Sequence, residues 1–542
     1  MRFSGRLALC LLSTSLLASA AFSRADDDKK KDDKTPAEKP AATEVTTPGS
    51  VDTGGQHILY NAVAGTITVG ATDVQDAQLG LDGKAEPGSQ LALNEPKEPK
   101  DAAPTARMSY FAYFKKDAKA EDRPITFFYN GGPGSSTVWL HMGSLGPKHV
   151  ATAGDQHLAA APYKMVDNAN SLLDVSDLVF VDMPGTGFGR LMGKDPEKAF
   201  WGVDEDANAF ARFIVRFITK YSRWNSPKYI FGESYGTTRS AVLADILENN
   251  KNIDLNGVIL LSQIFNFTTD IDFPQGNPGV DLPYVLALPT YAATAWYHKK
   301  LPQQAPALEP FLKEVEDFAM GQYSHALAQG TDISSDEKQA TAEKLHTYTG
   351  LPVAYILKAN LRVNGGEFEK TLQDDQDLTT GRLDTRYSGP TIDPLSQFAD
   401  YDPQSSAISS AYVSVFNDYV RKELKYGEGQ TYLPEALFGG SQWNMVHRGN
   451  PISLNVAVDL AEAMKTNPRL KVMVNGGYYD LATPFFAAVY EEKHLPIPQS
   501  LAKNIEYSFY ESGHMVYVRD ESLKQLHDRV AAFITKTQAD GK

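Results

Sequence analysis

The 542-residue chain contains a single cysteine, Cys10. One cysteine closes no disulfide within a chain and builds no thiolate metal site. It lies inside the apolar run Leu7 to Leu17, behind Arg2 and Arg6 and ahead of small residues in Ala18-Ser19-Ala20 and Ser23-Arg24-Ala25. That is the layout of a secretory leader, so residues 1–25 are expected to be cleaved and the remainder exported to periplasm or medium. Cleavage would remove Arg2, Arg6 and Arg24 but no acid, leaving a more acidic product. No other segment reaches the ~20 apolar residues that a membrane crossing requires, so the mature chain is expected to have no span. Positive charge is scarce as well, with 52 Lys and Arg against 67 Asp and Glu and a formal net charge of −15. Without clustered Lys and Arg, nucleic acid is excluded as a partner. There is no H-E-x-x-H and no cysteine pair, so no metal is expected. No cofactor is expected either. Nor is there a fixed-period repeat, so a solenoid or propeller is not expected.

What is present fits a large globular protein. A hydrophobic share of 42% over this length predicts an enlarged single domain or two closely joined ones. Residues 26–50, with charge runs such as Asp26 to Asp33, are expected to form a disordered, solvated tether. Strand-like runs follow at Ile58–Val74, Met108–Phe114, Ile125–Tyr129 and Leu178–Asp182. Apolar residues at helical spacing predict a helix over Asp204–Tyr221, and its acidic start suits the helix dipole. Strand and helix patterns go on alternating through Tyr229–Phe231, Thr238–Asn249 and Gly257–Leu261, which predicts an α/β fold with a mostly parallel sheet covered on both faces. The alternation stops near Asn266 and returns at Lys471–Asn475, Ile505–Tyr510 and a helix over Glu521–Thr535. Residues 51–266 and 446–542 therefore read as two parts of one core, and residues 267–445 as an inserted cap. Within the cap, Ala305–Met320 and Asp336–His346 look helical, while the string Gly381 to Gly389 suggests no chemistry.

Gly232-Glu233-Ser234-Tyr235-Gly236 follows an apolar strand and precedes a helix. A serine on so sharp a turn needs glycine on both sides, and its hydroxyl projects into a cleft as a nucleophile. A hydroxyl at neutral pH needs an imidazole to take its proton and a carboxylate to orient that imidazole. His494, His514 and His527 lie late enough in the chain. His527 falls within the last helix and His494 in a polar loop, whereas His514 follows strand Ile505–Tyr510 through Glu511-Ser512-Gly513, at the carboxyl end of a strand. Asp480 occupies the equivalent place after Val472 to Tyr479. The order serine, acid, histidine is that of α/β-hydrolases. Negative charge on the attacked carbonyl oxygen needs waiting N–H donors, and the Asn130-Gly131-Gly132-Pro133-Gly134 loop and Tyr235 can supply them.

With Asn130 to Ser136, Val181 to Gly189, Gly232 to Gly236, Asn475 to Asp480 and Gly513 to Val516 in this order, the chain resembles the serine carboxypeptidases, a family of α/β-hydrolases. The resemblance covers roughly residues 108 to 535. It implies a Ser234, Asp480, His514 triad, oxyanion donors at Gly132 and Tyr235, and removal of C-terminal residues from peptides. It also implies that Asn130, Gly131 and Glu233 bind the substrate's terminal carboxylate. Two carboxyl groups hydrogen-bond only while one holds a proton, so peptide turnover is expected to favour acid pH. Two positions depart from the family pattern: Ser144 aligns with a second carboxylate-binding glutamate, and Ser135 takes the place of a cysteine common in the family. The second departure points to bacterial members without disulfides. The first keeps open an esterase or acyltransferase on the same scaffold, and a catalytically silent binding protein is a further alternative.

Overall fold

The computed structural model describes residues 44–94, 96–439, 442–450 and 453–539. The expected leader at 1–25 and the first part of the expected tether lie outside them. The last part of that tether is ordered and pairs as β1, Glu44–Thr53, which corrects the boundary at residue 50. Val45, Thr46 and Thr47 supply β-branched side chains, Val51 enters the core, and the hydroxyls of Tyr110 and Tyr221 each donate to Glu44 Oε2 at 2.6 Å. Pro48 is tolerated because β1 forms an edge of the sheet, where one side of the backbone needs no partner.

The remaining strands of the main path are β2 (Gln56–Gly70), β3 (Thr105–Lys115), β4 (Ile125–Tyr129), β5 (Asp177–Val181), β6 (Lys228–Glu233), β7 (Gly257–Leu261), β8 (Lys471–Gly477) and β9 (Ile505–Tyr510). Their spatial order is β1-β2-β3-β5-β4-β6-β7-β8-β9. The first three pair antiparallel, as do β3 and β5. The six from β5 to β9 run parallel. The inner strands β4, β5 and β7 read as near-continuous apolar runs because both their faces are buried. Phe127 and Ile230 point into one core, and their neighbours Phe128 and Phe231 into the other. The strand after β4 is laid on one side of it and β6 on the other. This order switch opens a crevice between the carboxyl ends of β4 and β6.

The helices that matter for the site are α1 (Val138–Gly143), α2 (Val203–Lys220), α3 (Tyr235–Asp245), α4 (Leu282–Tyr297), α5 (Leu308–Phe318), α6 (Ser335–Thr349), α7 (Pro403–Lys422), α8 (Phe485–Lys493) and α9 (Asp520–Ala539). α2 and α3 cover one face of the sheet; α1, α7 and α9 cover the other. The segment between β7 and β8 is thus two things. α4, α5 and α6 build a core of their own with Phe368 and Leu372, resting on Tyr479, Leu481 and Phe485. α7 and the stretch to Tyr432 instead return to the hydrolase core, against Phe111, Tyr113 and Phe180. This is the α/β-hydrolase architecture.

Candidate active site

β6 delivers Ser234 through a tight elbow. Ser234 has φ 60° and ψ −130°, a strained conformation for a residue with a Cβ, held by its N–H on Leu261 O at 3.0 Å. The crowding around it dictates Gly232, since a Cβ there would stand 2.2 Å from Gly236 O and 2.4 Å from Ser240 Oγ. Tyr235 opens α3, so its N–H has no partner within the helix and lies at the positive end of the dipole. Gly131 lies so close to this end that a Cβ would meet Tyr235 N at 2.4 Å. The Asn130 to Gly134 loop and the helix start therefore touch.

The loop itself is pinned from several directions. Asn130 Oδ1 accepts from Leu140 N at 2.9 Å, and Asn130 O from Arg239 Nη1 at 2.7 Å. Arg239 pairs with Asp206 in α2 at 2.5 Å, with both side chains fully buried, and its guanidinium lies 4.4 Å from the centre of the Phe210 ring. Asp182, in the Val181 to Gly189 motif, accepts from Thr137 N at 2.8 Å, Ser109 Oγ at 2.7 Å and Tyr432 Oη at 3.0 Å. Burial holds its carboxyl up at about 6, against these donors. That motif thus works as a clamp on the segment after the Asn130 to Gly134 loop.

His514 Nδ1 is 2.8 Å from Asp480 Oδ2. Asp480 is fully buried behind the ring and also accepts from Thr483 N at 2.9 Å and Thr483 Oγ1 at 2.7 Å. Burial opposes a charge on His514, but the adjacent Asp480 outweighs it, and the imidazole titrates above its ordinary value. Among the described residues no hydrogen bond reaches Ser234 Oγ. Contacts of this kind tighten when substrate binds. Ser234 and His514 line one cleft of about 350 Å³ together with Asn130, Gly131, Gly132, Glu233 and Tyr235. Every residue singled out in the sequence as catalytic or substrate-binding lies in this cleft, or directly behind it in the case of Asp480.

Glu233 is buried beside Ser234, and its Oε2 accepts from Tyr517 Oη at 2.8 Å. Burial raises its carboxyl to about 7, against the pull of His514, Tyr517 and Asn130 towards ionisation. Ser144 has no access to the cleft; it is buried and its hydroxyl bonds back to Leu140 O at 2.6 Å. No carboxylate stands at that position.

The string Gly381 to Gly389, chemically silent in the sequence, is the part of the site that was missed. Arg382 O accepts from Leu481 N at 3.1 Å and Ala482 N at 3.2 Å, and Thr385 N donates to Tyr479 O at 2.9 Å, all on the Asp480 loop. On the His514 loop, Leu383 O accepts from His514 N at 2.7 Å and Asp384 Oδ2 from Gly513 N at 3.2 Å. Asp384 is itself clasped by Arg386, Nη2 to Oδ2 at 2.6 Å, with both side chains buried. A Cβ at Gly513 would meet Asp384 Cβ at 2.4 Å, which accounts for the glycine before the histidine. One looped strut from the inserted segment thus holds both loops that carry Asp480 and His514. The dense charge of Arg382-Leu-Asp-Thr-Arg386 was the available signal. Tyr517, three residues beyond His514, had none.

Among the described residues no group of three or more His, Cys, Asp and Glu side chains could hold a metal, and no helix is long and apolar enough to cross a membrane.

A doubly covered parallel sheet with a serine elbow at its switch point, an acid and a histidine at later strand ends, and an N–H cradle opposite define the α/β-hydrolase class. The sequence profile of the serine carboxypeptidases matches residues 101–498, most of the chain, and the protein belongs to that family. A serine carboxypeptidase-like protein of Oryza sativa subsp. japonica is 31% identical over 27% of this chain and 32% of its own. Serine carboxypeptidase-like 36 of Arabidopsis thaliana is 27% identical over 34% and 36%. The pheromone-processing carboxypeptidase KEX1 of Yarrowia lipolytica is 26% identical over 30% and 25%. The chain thus spans about a third of the length of the first two relatives. Among solved structures, a proline iminopeptidase of Mycobacterium smegmatis aligns over 81% of this chain and 97% of its own at 13% identity, with a TM-score of 0.34.

Proposed function

We propose that this protein is an exported serine carboxypeptidase, of the bacterial type without disulfides, which removes C-terminal residues from peptides through an acyl-enzyme on Ser234. His514 takes the hydroxyl proton and returns it to the leaving amine. Asp480 orients the ring and stabilises its charge. Gly132 and Tyr235 N–H groups receive the oxyanion. Asn130, Gly131 and Glu233 hold the terminal carboxylate, and water then releases the acyl group.

The observation that carries this reading is Glu233, a carboxyl buried next to the nucleophile and raised to about 7. A protonated Glu233 donates to a substrate carboxylate, whereas an ionised one repels it. Peptide hydrolysis therefore favours acid pH, while an ester lacking that carboxylate follows His514 alone. A peptide-ladder assay by mass spectrometry at pH ~5 and ~7.5, comparing the parent with Ser234→Ala, tests the proposal. Stepwise loss of C-terminal residues, stronger at the acid pH and absent in Ser234→Ala, is the expected result. Acylated products from an added alcohol, without peptide trimming, would replace the reading with an acyltransferase; the buried, inward-turned Ser144 is the one observation on that side.

A further inference from the structure

The cleft contains a carboxylate that the proposed mechanism does not use. Glu435 comes from the stretch between α7 and β8, is exposed along the cleft wall, and accepts from Ser135 Oγ at 3.0 Å. The same Ser135 Oγ accepts from Trp139 Nε1 at 2.8 Å. These groups sit on the carboxylate-binding side of the site. Ser135 N bonds to Gly131 O at 3.1 Å, and Trp139 precedes Leu140, whose N–H holds the Asn130 side chain. Ile408 of α7 completes this wall. A residue whose terminal carboxylate lies on Asn130, Gly131 and Glu233 therefore directs its side chain along Trp139 and Ile408 toward Glu435.

The chemistry of that wall fits one class of side chain. An aromatic face and an aliphatic side chain accommodate a methylene stem, and the indole ring also attracts a cation within about 6 Å of its centre. Desolvation in the cleft raises the Glu435 carboxyl to about 7, against the hydrogen bonds of Ser135 and Trp139. A substrate cation arriving at it favours the ionised form, which then supplies a charge-assisted hydrogen bond. Among the described residues no Lys, Arg or His forms an ion pair with Glu435. Arg382 also lines the cleft, but its guanidinium is already held by Asp272 at 2.8 and 2.6 Å. Glu435 is thus left without a protein cation in a cleft that also contains Glu233 and Asp270.

We propose that Trp139 and Glu435 form the subsite for the leaving residue and select peptides ending in lysine or arginine. This rests on the carboxypeptidase reading and names its substrate class.

The test uses blocked dipeptides with one acyl residue and C-terminal Lys, Arg, Leu or Glu, measured at pH ~6 and ~7.5 with the full-length protein, on either side of the Glu435 titration. The parent is expected to prefer Lys and Arg over Leu by about tenfold or more in kcat/KM, the order of a charge-assisted bond. Glu435→Gln is expected to collapse the Lys-to-Leu ratio by about that factor through KM, and Glu435→Arg to move the preference toward C-terminal Glu. A parent that prefers Leu, or a Lys-to-Leu ratio unmoved by both substitutions, overturns the subsite. Fluorophosphonate labelling of Ser234 without release of any C-terminal residue would instead overturn the carboxypeptidase reading, and the subsite with it.

Discussion

The two parts of this molecule, the parallel sheet and the segment inserted between β7 and β8, divide the work of the site unequally. The sheet presents the groups proposed to react, each at the carboxyl end of a strand: the Asn130 to Gly134 loop after β4, Ser234 after β6, Asp480 after β8 and His514 after β9. The insertion contributes no member of the triad, yet its strut bonds to the backbone of both the acid and the histidine loops, and its later stretch places Glu435 in the cleft. Chemistry on the sheet and alignment from the insertion are thus separable in principle, and single substitutions can show whether they are separable in fact.

The largest effect is expected at the strut. Asp384→Ala removes the acceptor of Gly513 N and leaves Arg386 buried without its partner, which costs about 3–5 kcal/mol of stability. Replacing the pair together with apolar residues, Asp384→Leu with Arg386→Met, is expected to recover most of that stability, because no unpaired charge remains. The double variant still cannot hold Gly513, so kcat on peptide and ester alike is expected to stay about 10²-fold down, as a small misplacement of His514 would give. Thermal unfolding and steady-state kinetics on the same samples decide this. Recovery of kcat along with stability would show that the insertion only packs and does not align.

What the sequence disclosed follows the same division. β4, β7 and β9 match their expected limits to the residue, because a short apolar run bounded by turn residues is a local pattern. The candidate residues that the structure gathers into one cleft could be singled out because each of their motifs lies within a few consecutive positions. The expected helices at Ala305–Met320 and Asp336–His346 appear as Leu308–Phe318 and Ser335–Thr349. That α7 leaves the cap and packs on Phe111 and Phe180 depends on contacts some 240 to 300 positions apart, and nothing in the local pattern of Pro403–Lys422 encodes them. The strut was silent for the same reason: Asp384 acquires its meaning from Gly513. β1 was obscured by the charged stretch before it, although Val45, Thr46 and Thr47 are ordinary strand formers.

The next effect separates the two regions by pH. Glu369 in the insertion is raised to about 8 by burial, as is Glu492 in α8, and Glu233 in the sheet to about 7. Each binds its proton more tightly folded than unfolded. The stabilisation is therefore complete below the ordinary value near 4.5 and is lost as pH rises towards about 8. The protein is expected to unfold at a higher temperature at pH ~5 than at pH ~8, and Glu369→Gln to flatten that dependence without moving the acid preference for peptides. Glu233→Gln is expected to do the reverse to activity, abolishing the difference between peptide and ester profiles. If Glu369→Gln also erases the peptide preference, the acid response resides in the insertion rather than beside Ser234.

The smallest expected change is the most local. Tyr517 Oη donates to Glu233 Oε2 at 2.8 Å and so favours the ionised carboxyl, working against burial. Tyr517→Phe deletes one hydrogen bond of about 0.5–1.5 kcal/mol. At 1.36 kcal/mol per pH unit this moves the titration of Glu233 upward by about one unit or less. KM for peptides is then expected to stay low to a correspondingly higher pH, while the ester profile, set by His514, stays in place. A downward shift, or equal movement of both profiles, would mean that Tyr517 acts on His514 or on the fold. The carboxyl beside the nucleophile would then not be the group that reads the substrate's terminus.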